Sequence, residues 1–250
     1  MVLTTMSIAL VWAGCGKTTL SSNEIANIIQ QAKHGDMSSV DQLISASPTP
    51  EVAKAKVQVL QCAVGAGRKD VVDQLVEADT DVRSRDESGL AAMMWAAVGD
   101  DVDMVGLLIQ NGAHANDPVN ALDGTALDSA RSRKMVDFLV AHGADVNARD
   151  RDGGSPLHSA GTAQVTEALI DKGANVNALD RRGWTPLHMA SDPDIARVLL
   201  AHGANVNAKT TSEERCGWYT IPAGTTPMGV RLIYEENGVA DILRRHGGRE

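Results

Sequence analysis

The sequence predicts an all-α fold, a solenoid of about seven stacked helix pairs joined by short hairpin fingers. A string, Gly-Ala-x-x-Asn, recurs every 30 or 31 residues and begins at Gly112, Gly143, Gly173 and Gly203. A fixed period of this length is typical of repeat proteins, in which each unit buries its apolar face against its neighbours. Aromatic residues make up only 3% of the 250 residues, whereas β-sandwiches and barrels rely on aromatic and β-branched side chains.

The helix pairs follow from this frame in chain order. We place them at 26–46, 58–78, 91–111, 125–142, 155–172, 185–202 and 226–246. Gly143, Gly173 and Gly203, which follow such pairs, accept the left-handed conformation that stops a helix, and Asp79 occupies the same place 33 residues before Gly112. The fourth, fifth and sixth pairs are three residues shorter than the third and the seventh. We expect those residues to be missing between the two helices, which predicts tighter turns there.

A second motif opens the later pairs. Ser155-Pro-Leu-His158 and Thr185-Pro-Leu-His188 are 30 residues apart, and Thr226-Pro227 is a partial third copy. A Ser or Thr hydroxyl can cap the free N–H groups of a helix, and proline suits the first helical position. These motifs therefore predict where the first helix of each pair begins.

Together the two motifs resemble the ankyrin repeat, with its T-P-L-H-x-A string and usual period of about 33 residues. The resemblance extends over residues 25–248, which we take as one ankyrin-repeat domain. It implies that His158 and His188 hydrogen-bond the motif's own hydroxyl and neighbouring backbone. It also implies a non-catalytic module that holds a protein partner across its fingers and first helices, with no cofactor and no small-molecule substrate.

The inserted finger loop at about 209–225 marks a candidate partner-binding surface. It lengthens one finger by about eleven residues and carries Trp218 and Tyr219, while Trp184 lies on the preceding finger at a position that we expect to be exposed. Trp and Tyr often dominate the energy of interfaces. An alternative is that Trp218 and Tyr219 fold back and cover the last repeat. The charged rim of this surface would include Arg151, Arg181 and Arg182, which could steer an acidic partner.

Charge and ligand spacing exclude other classes of function. Lys and Arg number 23 against 32 Asp and Glu, so the net charge of −9 argues against a nucleic-acid partner. No two of the seven histidines are four residues apart, the spacing that places two ligands on one helix face. We therefore expect no metal site, and no pattern of catalytic residues predicts an enzyme.

The N-terminus carries a separate pattern. The apolar run 6–14 ends in Ala13-Gly14 before Cys15 and resembles the signal of a bacterial lipoprotein, in which that cysteine receives lipid. This interpretation makes residues 1–15 a signal and 16–24 a tether, and predicts an exported, membrane-anchored protein of bacterial type. The run is not preceded by Lys or Arg, which departs from that pattern.

Two alternatives remain for this segment. The chain could be a cytoplasmic ankyrin adaptor or regulator with a disordered N-terminus. More remotely, Gly16-Lys17-Thr18 matches the second half of a phosphate-binding loop, although Val11 replaces its first glycine.

Overall fold

Helices dominate the structure, a computed structural model that describes residues 19–216, 219–233 and 237–249. The all-α prediction is confirmed for these residues, which contain seven helix pairs and one small β-hairpin. The chain divides between Asp81 and Val82 into two compact units. None of the described helices is both long enough and apolar enough to cross a bilayer.

The first unit contains two helix pairs. Its helices are α1 (Ser22–Lys33), α2 (Val40–Ser45), α3 (Pro50–Gly65) and α4 (Lys69–Glu77). Helix α3 begins eight residues before the predicted position 58, because Thr49 caps it by accepting the Val52 N–H at 3.2 Å and Pro50 fills the first helical position. The core between α3 and its neighbours includes Leu60 and Leu75, both fully buried.

The second unit contains five helix pairs and the hairpin. Its elements are α5 (Ala92–Val98), α6 (Val102–Gln110), the 3-10 helix η1 (Ala126–Ser129), α7 (Arg133–Ala141), the 3-10 helix η2 (Pro156–His158), α8 (Ala163–Asp171), α9 (Pro186–Met189), α10 (Pro193–Ala201), β1 (Glu214–Cys216), β2 (Tyr219–Ile221), α11 (Pro227–Ile233) and α12 (Asn237–Arg245). The first helices contact one another in the order α5, η1, η2, α9, α11, and the second helices in the order α6, α7, α8, α10, α12. These two parallel rows of neighbours define a solenoid.

The three short pairs lose residues from the first helix and not from the turn. Helix α5 has seven residues, whereas η1, η2 and α9 have four, three and four. Three residues connect α5 to α6, and three or four connect the helices of each short pair. The prediction of tighter turns is therefore wrong. Removing three residues from a helix takes away nearly one turn and leaves the following helix in register. A connection of only three residues could not be shortened by three and still join the two helices.

Left-handed residues end the second helices from α4 onward, as predicted. Glycines with φ between +83° and +98° follow α6, α7, α8, α10 and α12. Asp79 has φ +60° after α4, which confirms that it takes the glycine's place in the frame.

The segments that lead into each first helix of the second unit are named fingers here. They are finger 1 (82–91), finger 2 (111–125), finger 3 (142–155), finger 4 (172–185) and finger 5 (202–226). Finger 5 contains the insertion, where β1 pairs antiparallel with β2 from Glu214↔Ile221 to Cys216↔Tyr219.

Candidate partner-binding surface

One backbone hydrogen bond joins the tips of successive fingers in the same register. Arg151 N donates to Leu122 O at 2.8 Å, and Arg181 N donates to Asp152 O at 2.9 Å. Thr211 N repeats the contact with Arg182 O at 2.8 Å. The arginines predicted at positions 151 and 181 therefore occupy equivalent places on adjacent fingers.

The glycine that follows the tip of fingers 3 and 4 approaches the next finger closely. Gly183 has φ +78°, and a Cβ at this position would lie 2.7 Å from Thr211 N. Glycine satisfies both demands, because it has no Cβ and tolerates positive φ. Asp123 occupies the corresponding position of finger 2 with φ +58°.

The Asp123 carboxylate binds two arginines from the fingers on either side. Arg85 Nη2 of finger 1 lies 2.9 Å from Asp123 Oδ1, and Arg151 Nε of finger 3 lies 2.5 Å from Oδ2. Hydrogen bonds from Arg151 and Arg85 lower the pKa of Asp123. The three side chains line an open cleft of about 560 Å³, together with Asn116, Pro118, Thr125, Asp145, Ala148 and Arg149.

Arg149 completes the cationic side of this cleft. Its Nη1 donates to Gly153 O at 2.5 Å and to Leu179 O at 2.8 Å. The guanidinium thus links finger 3 to finger 4 through neutral carbonyl groups.

Trp184 is buried, so the expectation of an exposed side chain is wrong. It is 4% exposed and forms a small apolar core with Ile221 of β2 and Val230 of α11. The cause is the insertion, because its second strand brings Ile221 into the same buried cluster as Trp184. For Trp184, covering of the core replaces the predicted role in partner binding.

Arg182 belongs to the same covering structure. Its guanidinium pairs with Asp180 at 2.9 Å and with Glu214 of β1, and it lies 5.5 Å from the centre of the Trp184 ring. Such contacts are typical of an arginine that fixes local structure. Arg182 therefore connects finger 4 to the hairpin.

The contacts described so far do not include several of the predicted site residues. Trp218, Cys15 and the Gly16-Lys17-Thr18 string lie outside the described residues. Tyr219 is the first residue of β2.

The motif histidines have the predicted hydrogen-bonding role. His188 Nδ1 accepts the Thr185 N–H at 3.0 Å and lies 2.8 Å from Thr185 Oγ1. His158 makes the same contacts with Ser155 N and Oγ, at 3.1 and 2.9 Å. Each Nε2 reaches the next finger, at Trp184 O for His158 and Thr225 O for His188. The hydroxyls at 155 and 185 thus contact the histidine rings, whereas Thr226 Oγ1 accepts a helical N–H, that of Gly229.

Burial lowers the pKa of both histidines. The pKa of His188 falls to about 4, chiefly because the ring is buried, and the nearby Arg231 cation acts in the same direction. Because each Nδ1 accepts a backbone N–H, the neutral ring carries its proton on Nε2. These residues are structural links between repeats.

A row of asparagines forms a second set of links that the motif analysis missed. Asn177 Nδ2 donates to Gly203 O at 3.0 Å, and its Oδ1 accepts the Asn205 N–H at 2.7 Å. Asn116, Asn147 and Asn207 make the same pair of bonds to the following repeat. The signal was present, since these are the final asparagines of the recurring Gly-Ala-x-x-Asn string, and Asn207 closes its last copy.

The large exposed apolar side chains of the described residues belong to first helices and fingers. Among the described residues, the large exposed ones are Trp95 (39%), Leu122 (51%), Leu179 (51%) and Met189 (42%). Trp95 and Met189 belong to the first helices α5 and α9, and Leu122 and Leu179 to fingers 2 and 4. The second helices contribute none within the described part of the chain. The described residues also hold no cluster of three or more His, Cys, Asp or Glu that could bind a metal ion.

The second unit is built from rows of helix pairs, and equivalent backbone hydrogen bonds join its fingers. These features define it as part of a helical repeat protein. The family model described as "Ankyrin repeats (3 copies)" matches residues 28–119 and 126–210. Because these ranges cover more than half of the 250 residues, the chain belongs to the ankyrin-repeat family.

Individual relatives share only part of this chain. The ankyrin repeat and KH domain-containing protein mask-1 of Caenorhabditis elegans is 29% identical over 140 residues, which are 54% of this chain and 5% of that protein. Palmitoyltransferase ZDHHC13 of Homo sapiens is 35% identical over 83 residues, 32% of this chain and 13% of that protein. The chain thus spans a small part of the curated relatives that it matches.

A solved structure shows the same fold. The ankyrin repeat domain of Bcl-3 superposes with a TM-score of 0.58 and 24% identity, covering 76% of this chain and 86% of that one.

Proposed function

We propose that this protein is a non-catalytic module that binds a protein partner through the fingers and first helices of its second unit. The observation that supports it most directly is the distribution of Trp95, Leu122, Leu179 and Met189, which all belong to the fingers or first helices of that unit. Exposed apolar side chains grouped on one surface and bordered by polar groups are typical of interaction sites. Ankyrin-type solenoids use such extended surfaces for binding.

Site-specific photo-crosslinking tests this proposal. A benzophenone amino acid at position 122 or 179 should capture the same partner in the native host, because both positions lie on the proposed surface. Lys134 of α7 provides the matched control, since it is exposed on a second helix. Equal capture from position 134, or none from 122 and 179, would refute the proposal.

We further propose that lipid on Cys15 anchors the module to a bacterial membrane. Support comes from the apolar run 6–14 that ends at Ala13-Gly14. Mass spectrometry of the protein from its native host should find an N-terminal, lipid-modified Cys15. The Cys15→Ser variant should remain unprocessed and leave the membrane fraction. An intact Met1 peptide from the protein without this substitution would contradict the anchoring.

A further inference from the structure

We propose that the cleft lined by Arg85, Asp123, Arg149 and Arg151 binds an acidic segment of a protein partner, with Asp or Glu residues next to apolar ones. This inference rests on the proposed function, because it names the chemistry of the partner that the fingers hold. Fingers 1, 2 and 3 all contribute to the lining.

The charges in the cleft favour a carboxylate ligand. Three guanidinium groups line it against two carboxylates, Asp123 and Asp145. One carboxylate, Asp123, is shared between Arg85 and Arg151, while the contacts of Arg149 are with neutral carbonyls. The cleft therefore carries an excess of positive charge on a chain whose net charge is −9. An acidic partner would be repelled by much of the molecule and attracted here, which restricts where it binds.

Hydrogen-bond donors remain to receive that ligand. Among the contacts that the structure describes, Arg151 uses its Nε for Asp123, and its side chain is 63% exposed. The two Nη atoms of a guanidinium form a fork that matches a carboxylate. Arg149 uses Nη1 for its two carbonyl contacts, so its Nη2 also remains for an incoming oxygen.

Asp123 positions these arginines at a backbone cost. Its turn position is glycine in the other fingers, at Gly89, Gly153, Gly183 and Gly224, all with positive φ. An aspartate in this conformation is less favourable than glycine, and such residues persist where the surroundings fix them, often at functional sites. Here the carboxylate holds Arg85 and Arg151 on either side of one cleft.

Two exposed leucines set the apolar part of the ligand. Leu122 O accepts the Arg151 N–H, and Leu179 O accepts the Arg149 guanidinium. Each leucine is 51% exposed, so each arginine contacts the backbone of a residue that carries an exposed apolar side chain. A segment in which acidic and apolar residues alternate would satisfy both.

Selection of phage-displayed random dodecapeptides on the full chain tests this inference. Enriched peptides should carry Asp or Glu beside Leu, Ile or Phe. A fluorescent copy of the most enriched peptide should lose roughly ten-fold in affinity with Arg149→Gln or Arg151→Gln, since a hydrogen bond to a charged group is lost. Arg151→Lys should lose less, because it keeps the charge but not the fork.

Arg197→Gln is the matched control, since Arg197 of α10 is similarly exposed and pairs with Asp194. It should change the affinity less than about two-fold, and Arg151→Gln, Arg151→Lys and Arg197→Gln should keep the parent's thermal midpoint. Enrichment of neutral or basic peptides, no enrichment, or equal loss with Arg197→Gln would overturn the inference. Crosslinking from positions 122 and 179 to a partner would leave the proposed function standing in each of those cases.

Discussion

His188 is held as a neutral imidazole because both of its nitrogens are committed. Nδ1 accepts the Thr185 N–H, and Nε2–H donates to Thr225 O in the next finger. A proton on Nδ1 would replace the acceptor with a donor and oppose the backbone N–H. The resemblance of the Ser155 and Thr185 motifs to the ankyrin repeat implied this role.

The free energy of unfolding should therefore fall as the pH is lowered from about 7 towards about 4. The folded pKa of His188 is about 4, against an ordinary value of 6.5. Between these values the unfolded chain takes up a proton that the folded chain does not. The contribution of neutral His188 to stability is therefore fully present above about pH 6.5 and is lost as the pH falls towards about 4. His158 shifts in the same direction. Urea unfolding at several pH values should show a slope of at most about 1.4 kcal/mol per pH unit for each histidine.

His188→Asn provides the control for this pH dependence. An asparagine oxygen can stand near the Nδ1 position as an acceptor, but it does not titrate. The variant should be less stable near neutral pH and have a shallower slope between about pH 6.5 and about pH 4.5. An unchanged slope would show that His188 is not a source of the acid sensitivity.

The asparagine row yields a second residue-scale prediction. Asn177→Asp removes the donor to Gly203 O while keeping the acceptor for Asn205 N, so chemical unfolding should show a loss of about 1 kcal/mol. Asn205→Asp should be nearly neutral. Asn205 Oδ1 only accepts the Asn207 N–H, and Asp145 performs the same task in an earlier repeat. Equal losses in the two variants would show that the amide donor does not link the repeats.

At the scale of elements, the insertion in finger 5 decides which aromatic side chains are buried. Trp184 lies in finger 4, and it is buried against Ile221 of the hairpin and Val230 of α11. Local pattern could not predict this, because the contact depends on how the insertion folds. The shortened first helices could not be predicted either, because the spacing in the sequence shows that three residues are missing but not from which element.

Trp95 and Trp184 form a matched pair, because one is exposed and the other is buried. Trp184→Ala should lower the free energy of unfolding by about 3–5 kcal/mol, as expected when a large buried side chain is removed. Trp95→Ala should cost little stability, because Trp95 is 39% exposed on α5, but it should weaken capture of the partner. Thermal midpoints and crosslinking yields measure both effects. A small effect of Trp184→Ala on the midpoint would show that the hairpin does not cover a core.

At the scale of the whole molecule, the period of the sequence carries most of the information about the fold. Helix pairs, glycine stops and histidine contacts recur with it, so the stack of the second unit could be predicted from the strings alone. The arginine cleft could be anticipated only in part. Arg151 is prominent in the sequence, but Arg85 and Asp123 are 38 residues apart and meet only because adjacent fingers lie side by side.

Stability in such a stack should depend on position, because each repeat contacts its neighbours in the two rows. Leu139 of α7 and Leu243 of α12 are both fully buried, and replacing either with alanine should cost about 2–5 kcal/mol locally. Hydrogen exchange should show that Leu243→Ala exposes α11 and α12 while α6 and α7 stay protected. Leu139→Ala interrupts the stack near its middle, so it should speed exchange on both sides, from α6 to α8. The same uniform increase across the second unit in both variants would instead indicate a single cooperative core and contradict a nearest-neighbour array.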